Sequence, residues 1–361
     1  MKYFSIFSCL LLLAAAGCGT VGKNSSTHEK VRFARLFCWG ASSKEDNMRK
    51  YSEAGVTDIV VSSEKQFQLA VKYGMRPYWK CFLPEGPWRQ VMTPEEEKLH
   101  SYLAGKDLDP KLPRAEKRKT IHLRRTEKKH QYGGEAPGVD PLNTVIKCFN
   151  SDDDFALSRK KLDSILDSAP EGTEGIYLDY FGYMNNRGCY CESCLSKYRR
   201  HLKEKNLPDT QENRDIFYRD CIIGYYTRVI DHIKLKRPDF KVVVHIYPDF
   251  KPEHLYGQRI KADFCGQTVA WYFKWASEKI RKYTRFVVEH AKDHYPDAEG
   301  IPFQGISTDP KSSLGYKTPA DVEREMKEIL AAGGRTLMVC NGHSIIEPGY
   351  FEVFRKYCGK E

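Results

Sequence analysis

Three cysteines spaced C-x-C-x-x-C, at Cys189, Cys191 and Cys194, follow a lone carboxylate, Asp179, that ends the apolar run Gly175-Ile176-Tyr177-Leu178. Thiols this close cannot form three independent disulfides, and together they suit a tetrahedral zinc ion. A fourth ligand is then required, and Cys148, in Lys147-Cys148-Phe149-Asn150-Ser151, is the candidate. Four thiolates leave no open coordination position, so such a zinc would be structural. In an oxidising compartment one or two disulfides are the alternative reading. Asp179 points to different chemistry. A charge in an apolar strand is costly unless the strand has just emerged at a site. Tyr177, Tyr180, Phe181 and Tyr183 give it an aromatic setting. A structural carboxylate that holds a loop or an arginine is the bland alternative.

Other apolar runs end in the same kind of residue. Phe240–Ile246 leads to His245, Tyr247 and Asp249, Gly300–Ile306 leads to Ser307-Thr308-Asp309, and Arg335–Cys340 opens onto Asn341-Gly342-His343. Trp39, Trp79, Trp271 and Tyr272 also lie at or near strand ends. Aromatic platforms with a few carboxylates are what a sugar site needs, because apolar sugar faces stack on rings while two carboxyl groups serve the glycosidic bond. Asp179 is the first candidate for catalysis, Asp309 the preferred partner and Asp249 the reserve. Asp309 precedes a proline and reads equally well as a turn residue; Asp249 shares that weakness. Trp39, Trp79, Tyr180, His245, Tyr247, Trp271, Tyr272, Asn341 and His343 are the candidate sugar-binding residues. His245 and His343 could bind a hydroxyl or shuttle a proton, or be a satisfied strand-end histidine and a loop residue.

The elements that must position these residues alternate. Apolar strands are expected at Val31–Trp39, Val56–Val61, Met75–Leu83, Gly175–Leu178, Phe240–Ile246, Ala262–Tyr272, Gly300–Ile306 and Arg335–Cys340. Helical patterns stand between them, several closed by glycine, as at Gly55, Gly74 and Gly333-Gly334. Alternation implies parallel strands joined by crossover helices, and eight units close a (β/α)8 TIM barrel. An open doubly wound sheet is the runner-up, but no G-x-G-x-x-G turn follows the first strand. The rhythm breaks from about Pro84 to Pro141, a long charged insertion in the third β/α loop that contains a helix start at Thr93-Pro94. Asn143–Phe149 returns to a strand or a strand edge.

The chain has 361 residues and a formal charge of +10, with 41% hydrophobic and 12% aromatic residues. That composition excludes disorder and fits a large core. Much of the basic excess lies in Lys111–His130. This stretch reads as a solvated insertion or as a rim that attracts an anionic polysaccharide or lipid headgroups rather than nucleic acid. At the N-terminus, Lys2, an apolar run from Phe4 to Leu13 and then Ala14-Ala15-Ala16-Gly17-Cys18 read as an export signal. Small residues directly before a cysteine resemble a bacterial lipoprotein signal, which implies lipidation of Cys18, and Gly19 rather than Asp after it implies the outer membrane. Residues 1–18 are then the signal, 19–30 a polar tether and 31–361 the barrel. In this reading the membrane is met only through the lipid, and no organic cofactor is called for. Cys38, Cys81, Cys221, Cys265, Cys340 and Cys358 either pair or sit reduced in the core.

Cys148-Phe149-Asn150-Ser151 followed by Cys189-Tyr190-Cys191-Glu192-Ser193-Cys194 resembles the zinc-binding cysteines of glycoside hydrolase family 42 β-galactosidases. The resemblance implies a structural zinc on a barrel of the same class. It also implies a general acid at the end of the fourth strand, about where Asp179 stands. The family has an Asn-Glu pair there, where this chain has Leu178-Asp179, and a glutamate nucleophile on its seventh strand, of which Gly300–Asp309 has none. The resemblance spans about Cys148 to Lys205 and implies a carbohydrate-type barrel, not β-galactosidase activity. In α-galactosidase-like barrels an aspartate at the fourth strand is the nucleophile, so the role of Asp179 stays open. The sequence as a whole leads to an exported glycoside hydrolase-like protein acting on a poly- or oligosaccharide, anionic ones included. A catalytically silent glycan-binding lipoprotein on the same barrel is the alternative.

Overall fold

A computed structural model describes residues 31–361 except 88, 91–97, 99–100, 130–144, 181–188, 190, 246–259, 273, 292–296, 313–314 and 360–361. The chain rises through β1 (Arg35–Trp39), α1 (Glu45–Glu53), β2 (Asp58–Val61), α2 (Glu64–Lys72) and β3 (Arg76–Leu83). It then passes β4 (Arg89–Gln90), α3 (Arg114–Lys129), β5 (Val145–Ile146) and α4 (Asp152–Ser168) before β6 (Gly175–Tyr180). Two helices follow, α5 (Glu192–Lys205) and α6 (Gln211–Lys236), and then β7 (Lys241–His245), β8 (Phe264–Ala270) and α7 (Ser277–His290). The chain ends with β9 (Glu299–Gly305), α8 (Pro319–Ala331), β10 (Thr336–Cys340) and α9 (Tyr350–Cys358).

Local chemistry sets the element ends. The side chains of Ser63, Ser151 and Thr210 accept from the backbone N–H three residues on and start α2, α4 and α6. Thr318 and Asp321 form a reciprocal capping box at α8, with Pro319 in its first turn. Gly55 follows α1 with φ +95°, and a Cβ there would meet the Cys358 carbonyl oxygen at 2.2 Å. Only glycine allows both that backbone angle and that close approach of the first helix end to the last helix.

Eight strands close in the order β1-β10-β9-β8-β7-β6-β3-β2, all neighbours parallel. This is the (β/α)8 barrel expected from the alternation, with the eight strands where the apolar runs placed them. Side chains alternate along each strand. One set, including Phe37, Tyr78, Tyr177, Val243, Phe303 and Met338, fills the barrel interior. The other set packs outward against the helices in two larger clusters. Val145–Ile146 does not join the barrel: β5 pairs antiparallel with β4. The third β/α connection thus carries its own two-stranded ribbon and the basic helix α3. Within it, Arg124 is bound to both oxygens of Asp107 and lies 4.0 Å from the centre of the Tyr102 ring. The helix start expected at Thr93 lies outside the described residues.

Candidate functional site

The C-terminal ends of the barrel strands form a mouth whose members are fixed by register. Asp179 of β6 stands opposite His245 of β7, and Trp39 of β1 opposite Cys340 of β10. On β3, Tyr78 faces the interior while Cys81 and Leu83 pack outward. Alternation therefore turns Lys80 inward. Its ammonium lies 3.6 Å from Asp179 Oδ2, 4.1 Å from the Trp39 ring centre and 4.2 Å from that of Phe82. Two aromatic faces and a carboxylate thus hold one cation.

His245 stacks on Phe303 at 3.8 Å between ring centres, with Tyr177 at 6.5 Å on a nearly parallel ring. Burial disfavours the imidazolium and lowers its pKa to about 3, so the ring is neutral at neutral pH. On β10, the Cys340 sulfur lies 3.0 Å from the Tyr272 hydroxyl oxygen. Burial pushes the thiol up to about 11. Trp271 stacks on Phe303 at 5.7 Å and meets Tyr272 edge-on at 4.6 Å. Gly305 makes room for this platform: a Cβ there would come within 2.9 Å of the Trp271 ring.

The structure therefore brings Asp179, His245, Trp39, Trp271 and Tyr272 to one end of the barrel. Trp79 is placed elsewhere. It faces α2 and stacks on Phe67, rings 6.4 Å apart and 6° from parallel, because its position has the opposite parity to Tyr78. Asp309 is exposed in the loop after β9, where its carboxylate accepts from the Lys311 N–H at 2.8 Å. None of its contacts among the described residues reaches Asp179. Asn341 turns the chain at the end of β10 with φ +61°. His343 is exposed on the rim, its Nε2 3.1 Å from Glu347. Tyr247 and Asp249 lie outside the described residues, as does the side chain of Tyr180. Lys80, Phe82 and Cys340 were not singled out from the sequence. Lys80 carries the signal that marked Asp179, a charge inside an apolar strand.

The thiols gather beside this mouth. The sulfurs of Cys148, Cys189, Cys191 and Cys194 all lie within 4.8 Å of one another. Cys148 is 3.5 Å from Cys194 and 3.8 Å from Cys191. Ligands about 2.3 Å from a tetrahedral zinc stand about 3.8 Å apart, whereas a disulfide requires about 2.05 Å. All ten described cysteines are free thiols. The donor set fits a divalent soft cation, and four cysteines could hold one. Asn150 donates from its side chain to Cys194 at 3.3 Å and from its backbone to Cys148 at 3.4 Å, as a thiolate cluster requires. Hydrogen bonds from the neighbouring thiols Cys189 and Cys194 draw the Cys148 pKa well below the usual thiol range, and their own rise in return. Cys191 caps α5, Cys194 is in its first turn, and Cys148 precedes α4. The cluster thus ties the end of the third β/α connection to the segment that follows Asp179.

No protein-family model and no curated protein sequence matches the chain. Solved structures do. Gan42B, a GH42 β-galactosidase, aligns with TM-score 0.53 and 11% identity over 91% of this chain and 56% of that one. A catalytic mutant of Gan42B from G. stearothermophilus gives 0.54 and 10%, again over 91% and 56%. The PgaB (BpsB) glycoside hydrolase domain from Bordetella bronchiseptica gives 0.53 and 8%, over 92% of this chain and all of that one. The chain spans little more than half of the Gan42B chain. At these identities the likeness is one of fold, a closed parallel barrel of the class that glycoside hydrolases use.

Proposed function

We propose that the chain is a glycoside hydrolase-like barrel that acts on glycosidic bonds of a poly- or oligosaccharide, anionic ones included, with Asp179 as a catalytic carboxylate. The observation that carries this reading is Asp179 at the barrel mouth, beside Lys80 and among Trp39, Trp271 and Tyr272. The names of the solved neighbours, a β-galactosidase and a glycoside hydrolase domain, support the same class. Rings offer stacking for apolar sugar faces, and a carboxylate at the C-terminal end of a barrel strand stands where such folds do chemistry. The second carboxylate of the reaction is assigned to Asp309 or Asp249. The cysteine cluster holds a structural zinc, which when bound would fix the loops beside Asp179 and take no part in bond cleavage. Cys18 anchors the chain by lipid to the outer membrane of a bacterial envelope.

The test is hydrolysis of a panel of neutral and anionic glycans by wild type and by Asp179→Asn. Turnover by the wild type that falls at least 10²-fold in the variant is expected, the usual scale for loss of an acid–base group. Full turnover by the variant would remove Asp179 from the mechanism. Radiolabelled lipid incorporated into wild type and absent from Cys18→Ser checks the anchor. One observation favours a second reading, glycan binding without turnover: Asp309 is exposed and its carboxylate accepts from the Lys311 N–H of its own turn. Affinity for a glycan that wild type never cleaves, and that survives in Asp179→Asn, would select it.

A further inference from the structure

The resemblance to family 42 places a proton donor at the end of the fourth barrel strand. The geometry of this chain argues otherwise. A general acid must hold its proton at the working pH, and such groups are raised by burial or by a neighbouring like charge. Asp179 is buried, which by itself raises a carboxyl, but its neighbour is a cation, which lowers it. The Lys80 ammonium stands 3.6 Å from Oδ2, beyond a good hydrogen bond but well within the range where opposite charges favour each other's ionised form. That ammonium is not free to drift. It is only 20% exposed and sits between the rings of Trp39 and Phe82.

Among the described residues, His245, Tyr177, Tyr226 and Cys340 near Asp179 carry no competing charge. His245, its register partner, is buried and neutral. Tyr177, two residues earlier on the same face, and Tyr226 on α6 are both pushed well above the usual phenol range by burial, with the charge of Asp179 a smaller cause. Cys340 is a neutral thiol next to Tyr272. Lys80 brings a full positive charge into this neutral company.

We propose that Lys80 is a positioning residue that holds Asp179 as a carboxylate anion, so that Asp179 meets the sugar as a negative charge and not as a proton donor. Its role is then to stabilise positive charge at the anomeric carbon, and the proton for the leaving oxygen comes from another group. Lys80 acts through Asp179 and needs no contact with the sugar. The inference rests on the reading of Asp179 as the working carboxylate, but its test needs no substrate.

The full-length chain, labelled with 13C at the aspartate carboxyl carbon, is titrated by NMR, and Asp179→Asn identifies the Asp179 resonance. Asp179 is expected to be ionised at pH 7 in the wild type. Its midpoint is expected to rise by at least one unit, a tenfold shift, in Lys80→Met and in Lys80→Gln, and Lys80→Arg should return it towards the wild-type value. An opposite charge at this range ordinarily lowers a carboxyl by about 1–3 units. Two neutral variants guard against one that fails to fold. A wild-type Asp179 that is protonated at pH 7, or a midpoint that moves by less than one unit in the folded neutral variants, overturns the proposal. Failure of the hydrolase reading is a separate result, absence of turnover on every glycan, and leaves the titration readable. Where a glycan is cleaved, the acid limb of its pH–rate profile should rise in Lys80→Met by the shift that NMR measures.

Discussion

Two lysine–carboxylate pairs in this barrel have opposite designs. Lys317 and Glu325, joining the loop after β9 to α8, are both fully buried and 2.8 Å apart. Lys317 also donates to the Gly305 carbonyl at 2.9 Å, and the Gln304 side chain donates to the same Glu325 oxygen at 2.8 Å. Arg324 lies 3.8 Å from the other oxygen. Lys80 and Asp179 are less deeply buried, their side chains 20% and 10% exposed, and stand 3.6 Å apart with two aromatic rings beside the cation. The first pair is wholly buried, with two donors on one Glu325 oxygen and none within hydrogen-bond distance of the other among the described residues. The second stands at a strand end, where a sugar hydroxyl or a developing charge can approach it. A closed network holds a loop in place, whereas an open pair keeps its charge available for work.

This contrast can be broken by substitution, and the largest effect belongs to the closed pair. Lys317→Met leaves Glu325 buried without its cation and should cost about 3–5 kcal/mol in denaturant unfolding, much of it regained in Lys317→Met/Glu325→Leu. A single-variant loss under about 1 kcal/mol would make the pair incidental. Removing metal comes next. One zinc per chain is expected by elemental analysis, lost in Cys148→Ser, with a lower unfolding midpoint in chelator that zinc restores. Metal-free wild type of unchanged stability would leave the thiols a reduced cluster only.

His245 gives a smaller, pH-dependent effect. Its folded pKa, about 3, lies below the unfolded value of about 6.5, so the unfolded state binds more protons between them. Stability from this ring is therefore fully present above about pH 6.5 and falls by up to about 1.4 kcal/mol per unit as pH drops towards 3. His245→Phe should flatten that part of the profile, and unchanged curvature would count against a neutral buried ring. The smallest change in stability is expected at the open pair. Lys80→Met should cost about 1.4 kcal/mol at pH 7, the equivalent of the one-unit rise expected for Asp179. A loss as large as that at Lys317 would show that the mouth, too, is built for structure.

Much of this was legible in the chain itself. Strand composition, glycine-closed helices and the Thr318-Pro319-Ala320-Asp321 cap are local signals, and local signals repeated eight times imply a closed parallel barrel. The C-x-C-x-x-C spacing also sufficed to nominate the thiols, because three of the four ligands share one loop and helix start. Strand ends were readable as positions but less so as directions. Trp79 and Lys80 are adjacent in sequence, yet one faces a helix and the other the mouth. A one-residue difference in parity decides it, and parity is fixed only when neighbouring strands pair. Asp309 shows the same limit, since a strand-end carboxylate and a turn carboxylate look alike until the loop folds. The sequence alone determined the class of fold and which residue types could do chemistry. Only the tertiary structure decided that Lys80 stands beside Asp179, because that contact joins β3 to β6 across a long connection and depends on barrel closure rather than on any local preference.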